Sequence, residues 1–209
     1  MRLTKYGHAC VRLEKEGRRL LIDPGIWSAP YSFDGVDAVV ITHEHADHID
    51  PAALAHWQLT NPAGTVHAPA EVLQLLSDFE ANQVAVTPDD TFEVGGFGLR
   101  FVGGAHAEIV DGLPHCANVG VVVDESVYHP GDSLFVPDGE IETLLVPVSG
   151  PWLKLREAIE FVRRISPDRA FPIHDALLNE IGQQVADRWL GQTSGTEYQR
   201  LQLGASTAA

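Results

Sequence analysis

Apolar residues come in short runs through the first part of the chain. Glycine, proline or charge interrupts them every few positions, a spacing that reads as strands rather than helices. Residues 4–13 and 19–22 flank Glu14-Lys15-Glu16-Gly17-Arg18, a hairpin turn. Residues 36–42 contain Ala38-Val39-Val40-Ile41, an almost wholly apolar run that suits a strand covered on both faces. Asp50-Pro51 reads as an N-cap and first helical position, opening a helix through about Gln58. A second helix is expected over 69–76, with Ala70, Leu73 and Leu76 on one side. Further strands are expected over 84–87, 91–94, 99–102, 118–123 and 127–128. The rhythm then lengthens to a strand over 143–148 and a helix over 152–165, striped by Leu155, Ala158, Ile159, Val162 and Ile165. A strand over 170–173 and a helix over 177–190 follow. Residues 199–203 add a short strand, and 204–209 fray. Strands first and βαβα afterwards describe an α/β (α+β) chain, a layered sandwich of sheets covered by helices.

Composition sharpens this in three ways. At 209 residues with 44% hydrophobic content the chain suits one domain over 1–209, large enough to fold without metal or disulfide. Its formal charge of −15 argues against nucleic acid as the main partner and against an anionic membrane surface. A small molecule is the expected partner. The N-terminal residues show no apolar core or small-residue cleavage pattern, and no window approaches the ~18 apolar residues of a membrane span. With only Cys10 and Cys116, read as reduced structural thiols, the expectation is a cytoplasmic protein.

The chemistry concentrates in Thr42-His43-Glu44-His45-Ala46-Asp47-His48, directly after the buried strand. Drawn at random from this composition, H-x-H-x-D-H would occur in roughly two such chains per thousand, so a solvated polar loop is the weaker reading. In an extended or turning segment His43 and His45 point the same way and can grip one metal ion. Asp47 and His48 follow a bend and can face a second ion. Two ions need more donors, and His106, Asp132 and His174 each sit just past an expected strand, where they can converge on one crevice. Asp132, with two carboxylate oxygens, could bridge. Imidazole and carboxylate donors suit Zn2+, and also Mn2+ or Fe.

This order of residues, H-x-H-x-D-H followed by a lone His, a lone Asp and a final His, resembles the metallo-β-lactamase-fold hydrolase superfamily. The resemblance runs from Gly7-His8 to His174-Asp175. It implies a four-layer αββα sandwich with two divalent ions, most simply Zn2+, at one edge of the sheets. By position, His43, His45 and His106 would hold one ion, Asp47, His48 and His174 the other, and Asp132 would bridge them. Gly104-Ala105-His106-Ala107-Glu108 departs from the G-H-T-x-G-H stretch of glyoxalase II-like members. Retention of His45, where flavodiiron members carry Glu, and the lack of room for a flavodoxin module weigh against that branch. The Gly7-His8-Ala9 start and the Pro130-Gly131-Asp132 context are more similar to the branch with ascorbate-phosphate lactonase and small hydrolases.

Three further residues have both a structural and a functional reading. Asp23 either forms the turn before Pro24-Gly25 or takes the second N–H of a metal-bound histidine. His8 is either a satisfied strand histidine or part of the pocket lining. His129 either packs internally or touches substrate or a ligand residue. His115 could belong to a loop over the site, while His56 and His67 read as ordinary. Pocket loops are expected over 27–33 and 108–116, with Trp27, Tyr31 and Phe33 either walling the pocket or packing on the core. The expected activity is hydrolysis of an ester, lactone, amide or phosphodiester by a hydroxide bridging two ions, with Asp47 and Asp132 as the candidate catalytic carboxylates. A phosphodiesterase or nuclease of the same fold and a di-iron redox protein are the alternatives. No G-x-S-x-G supports serine chemistry.

Overall fold

Alternation inside single strands decides the architecture. Leu20 and Ile22 join one buried cluster while Leu21 between them joins another, and Val121 and Val123 part from Val122 in the same way. A strand whose two faces are both apolar must be covered on both sides. The computed structural model describes residues 1–77, 82–113 and 115–209. Its first sheet holds β1 (Arg2–Gly7), β2 (Cys10–Lys15), β3 (Arg18–Ile22), β4 (Ala38–Val40), β5 (Thr65–Ala68), β6 (Asn82–Ala85) and β14 (Ser206–Ala208), in the order β14-β1-β2-β3-β4-β5-β6. The second holds β7 (Thr91–Val94), β8 (Phe97–Gly103), β9 (Val119–Val123), β10 (Val127–His129), β11 (Thr143–Pro147), β12 (Arg169–Ile173) and β13 (Glu197–Tyr198), in the order β13-β12-β11-β10-β9-β8-β7.

Three apolar clusters separate four layers. The central one packs Leu13, Leu20, Ile22 and Val40 of the first sheet against Phe97, Phe101, Val121 and Phe171 of the second. Outside the first sheet, Leu54 and Trp57 of α1 (Pro51–Thr60) and Val72 of α2 (Ala70–Leu75) cover Leu21, Val39 and Val66. Outside the second, Ala158, Phe161 and Val162 of α3 (Leu155–Ile165) and Ala186 and Leu190 of α4 (Glu180–Thr193) cover Val122, Leu144 and Val146. The result is an αββα sandwich. Asp50 caps α1, its carboxylate accepting from the backbone N–H groups of Ala52 and Ala53. Among the described residues no helix is long and apolar enough to cross a membrane.

Four local expectations change. The expected strand over 4–13 is broken by a turn at Gly7-His8 into β1 and β2, which pair antiparallel. The helix expected from 152 begins at Leu155, because Trp152 turns inward and Glu157 Oε2 accepts the Lys154 N–H instead (2.8 Å). Residues 199–203 form no ladder, and the short strand β13 ends just before them at Tyr198. Residues 206–208 do not fray but pair with β1, Leu3 opposite Thr207, and Thr4 and Ser206 share a hydroxyl hydrogen bond of 2.8 Å.

Strands β3, β4 and β5 run parallel, as do β10, β11 and β12, so the loops after them gather at sheet edges. Backbone bonds from Val119 to the Thr42 carbonyl (3.0 Å) and from His174 to the His8 carbonyl (3.2 Å) bring those two edges together.

Candidate metal centre

The loop after β4 carries His43, His45, Asp47 and His48. The loops after β8, β10 and β12 bring His106, Asp132 and His174, and the β1–β2 turn brings His8. Their donor atoms form two groups, His43, His45, His106 and Asp132, and His8, Asp47, His48 and His174, with the atoms of each within 4.8 Å of one another. Asp132 also reaches the second group, 3.0 Å from both His48 Nε2 and His174 Nε2. All the sequence-derived candidates therefore meet at one place, with Asp132 at the junction.

Hydrogen bonds fix which ring nitrogens face inward. His48 donates from Nδ1 to Asp23 Oδ2 (2.6 Å), and His106 donates from Nδ1 to the Ala107 carbonyl (2.6 Å). Thr42 gives its hydroxyl hydrogen to Asp23 Oδ2 (2.7 Å), so its oxygen accepts from His43 Nδ1 (3.0 Å). Each of these histidines thus turns Nε2 toward the centre. A buried carboxylate or carbonyl behind the ring is the usual support of a metal-ligating histidine. Asp23, with no exposed surface, supports two of them, one directly and one through Thr42.

Four of the inward atoms lack partners, while His43 Nε2 lies 3.1 Å from His45 Nδ1. His48 Nε2, His106 Nε2, His174 Nε2 and Asp132 Oδ1 are buried and make no hydrogen bond, although Asp132 lies 3.0–3.3 Å from all three rings. Lone pairs converging at that range, off the directions of hydrogen bonds, fit a cation between them. The donor set therefore passes the test for a metal site on its own chemistry.

In the protein by itself, the charges on these same groups depend tightly on one another. Burial, then the facing His48, holds His43 well below the usual histidine range. Burial opposes charge at His174, but the Asp132 and Asp47 carboxylates raise it to about 9. Burial likewise pushes the two carboxyls up, yet His48 and the neighbouring rings keep Asp132 well below the carboxylate range, and His174 and His8 do so for Asp47. Both carboxylates are ionised donors. The backbone is strained here too, since His8, Asp23 and His174 all adopt positive φ without being glycine.

A model of the β-lactamase superfamily domain matches residues 2–174. The chain belongs to the metallo-β-lactamase-fold family of metal-dependent hydrolases. Protein Rv0786c of Mycobacterium tuberculosis is 35% identical to this hydrolase over 208 residues, covering 96% of each chain. A UPF0173 metal-dependent hydrolase of Aeropyrum pernix is 31% identical over 204 residues, covering 83% of this chain and 81% of its own. The fold is shared with Igni18, a metallo hydrolase of Ignicoccus hospitalis, at a TM-score of 0.77 and 19% identity, over 99% of this chain and 97% of that one.

Within this metallo-β-lactamase-fold hydrolase, two histidine candidates make hydrogen bonds that set them apart from the other clustered rings. His8 accepts the Ala176 N–H at Nδ1 (3.2 Å) and donates from Nε2 to Asp47 Oδ2 (3.1 Å). Both nitrogens are used, so His8 orients Asp47 and offers no lone pair to a metal. His129 is wholly buried, donating to the Ala9 carbonyl (2.9 Å) and accepting the Gly131 N–H (3.1 Å). It braces the turn that presents Asp132. Of the aromatic residues in 27–33, only Trp27 reaches the site, 4.9 Å from the His8 ring, while Tyr31 packs on Tyr6 and Phe33 on Trp57. In the other loop, Ile109, Leu113, His115 and Cys116 line a cavity with His45 and His106, and Pro114 lies outside the described residues.

Two residues went unseen in the sequence. Trp152 donates its indole N–H to Asp132 Oδ2 (3.0 Å). Asn118 accepts the Asp132 N–H at Oδ1 (3.0 Å) and donates to the Pro130 carbonyl (3.0 Å), clamping the turn at Gly131. A side chain at Gly131 would stand 2.3 Å from that Asn118 oxygen, which explains the glycine. Neither Trp152 nor Asn118 belongs to a spacing pattern that would mark it. A larger cleft of about 630 Å³, lined by Arg18, Asp37, Thr65 and His67, lies at the other end of β4 and β5 and holds none of the clustered donors.

Proposed function

We propose that the chain is a dinuclear metal-dependent hydrolase of a small molecule, cleaving an ester, lactone, amide or phosphodiester. The observation that most supports this is the set of buried, unpartnered donor atoms around Asp132. In this reading His43, His45 and His106 would hold one ion and Asp47, His48 and His174 the other, with Asp132 within reach of both groups. Zn2+ is the metal that best fits the donors, with Mn2+ or Fe next. When bound, such a pair would supply Lewis-acid activation of water and of the carbonyl or phosphoryl oxygen.

The chain's own residues do the rest. Asp23 and Thr42 keep the His43 and His48 rings from turning. His8 holds Asp47 through Oδ2, and Asp47, with a side chain 20% exposed, is placed to take up the proton of the attacking water. The formal charge of −15 favours a small molecule over a nucleic acid.

Elemental analysis of the native chain and of Asp132→Ala tests the reading. Two ions per native chain and fewer in the variant are expected. Little or no metal after careful reloading would sink the dinuclear mechanism.

A further inference from the structure

The donor cluster borders a cavity of about 230 Å³ whose lining includes His45, His106, Ala107, Ile109, Leu113 and Cys116. Ile109 and Leu113 are 42% and 50% exposed. A single exposed apolar side chain is ordinary, but these two face a cavity that shares histidines with the cluster. On the other flank Trp27, 46% exposed, stands edge-on to His8.

Charge is as telling as apolarity. Among the described residues, Glu44 supplies the only formally charged side chain in the cavity lining, and neither lysine nor arginine contributes to it. Lys5 and Arg200, which approach His174 through its neighbour Asp175, are engaged by Asp175 and Asp187. A phosphodiester carries a full negative charge and is ordinarily met by arginine or lysine. Here it would meet Glu44 and no cation among the described lining residues, on a strongly acidic chain.

We propose that this cavity is the acyl subsite of the hydrolase, and that its substrate is an uncharged carboxylic ester or lactone with a short apolar acyl chain. This rests on the hydrolase reading above and narrows it. The cavity is smaller than the ~300–1,000 Å³ of pockets for drug-sized ligands, which limits the chain to a few carbons. In the reaction the water oxygen bonds to the carbonyl carbon and the acyl C–O bond breaks. One water proton passes to the departing alkoxide, and the other leaves to solvent as the acid ionises. An ester gives a carboxylate and an alcohol, and a lactone gives one hydroxy-carboxylate.

The test compares p-nitrophenyl acetate, p-nitrophenyl butyrate and bis(p-nitrophenyl) phosphate on the metal-loaded full chain. Two added methylenes are expected to raise kcat/KM for the butyrate about tenfold over the acetate, with the phosphodiester slowest. Leu113→Lys should abolish the butyrate advantage while leaving metal content unchanged. A preference for the phosphodiester, or a flat response to acyl length, overturns the subsite while the hydrolase reading stands. Absence of any turnover by metal-loaded protein tells against the hydrolase reading itself. The subsite then has its own readout in 4-heptanone, the uncharged and unhydrolysable isostere of ethyl butyrate. It should slow N-ethylmaleimide labelling of Cys116 in the native chain and not in Leu113→Lys, with Cys10 fully buried and silent. Protection by dimethyl phosphate instead, or none by 4-heptanone, overturns the subsite whichever way turnover falls.

Discussion

The indole N–H of Trp152 donates to Asp132 Oδ2 at 3.0 Å, and the same ring stands edge-on to His106 (5.8 Å) and His174 (5.7 Å). It can lie there because Gly150 has no side chain, since a Cβ would come within 2.8 Å of the indole nitrogen. One residue therefore sets the orientation of the carboxylate shared by both donor groups. Trp152→Phe keeps a ring in place and removes only the donor. Metal affinity is expected to fall about tenfold, as for other groups that hold a ligand from behind, with the thermal transition little changed. Gly150→Ala should move affinity in the same direction. Competition against a chromophoric chelator reads both, and wild-type affinity in both variants would refute the role of the indole.

His8 acts on one donor group only. Its Nε2–H bonds Asp47 Oδ2, which lies in the group of His48 and His174. His8→Phe should weaken the second of two binding steps about tenfold and leave the first alone. A stepwise calorimetric titration separates the two, and equal weakening of both steps would contradict the assignment.

Asp23 is wholly buried and accepts from the Thr42 backbone (2.8 Å), the Thr42 hydroxyl (2.7 Å) and His48 Nδ1 (2.6 Å). Asp23→Asn places an amide N–H against at least one of these donors. Removing one member of a buried charged network costs on the order of 3–5 kcal/mol. Urea unfolding should show a loss of that size, together with loss of metal at both steps.

Acid sensitivity is expected from His67, away from the cluster. Burial lowers it from 6.5 to about 4. The unfolded chain takes up a proton below pH 6.5 that the folded chain refuses until about pH 4. The stability associated with this group is thus complete above pH 6.5 and is lost as pH falls toward 4. His67→Gln should flatten the dependence of the urea midpoint between pH 6.5 and 4 by up to one proton. An unchanged slope would show that His67 titrates normally.

Much of the fold was legible because burial leaves a periodic mark. Leu20, Leu21 and Ile22 are all apolar because that strand has a helix layer on one side and a second sheet on the other. Asp50-Pro51 marks its helix start because capping is a local bond between residues two and three positions apart. The misplaced start of α3 and the tail strand β14 have the opposite cause. Trp152 leaves the helix for a carboxylate 20 residues earlier, and Ser206–Ala208 find their partner near residue 2. Neither pairing alters the local pattern of apolar and polar positions.

The clustered histidines and aspartates could be picked out from the chain alone, because such residues at H-x-H-x-D-H spacing and just past strands are a rare pattern. What only the tertiary structure decided is the direction of each donor atom. His8 and Ala176 are 168 positions apart, yet their bond settles that His8 turns a hydrogen rather than a lone pair toward Asp47. Periodicity says which face of a strand a residue occupies. A hydrogen bond depends on angle and on tenths of an ångström between distant segments, and those are set only when the two sheets close on each other.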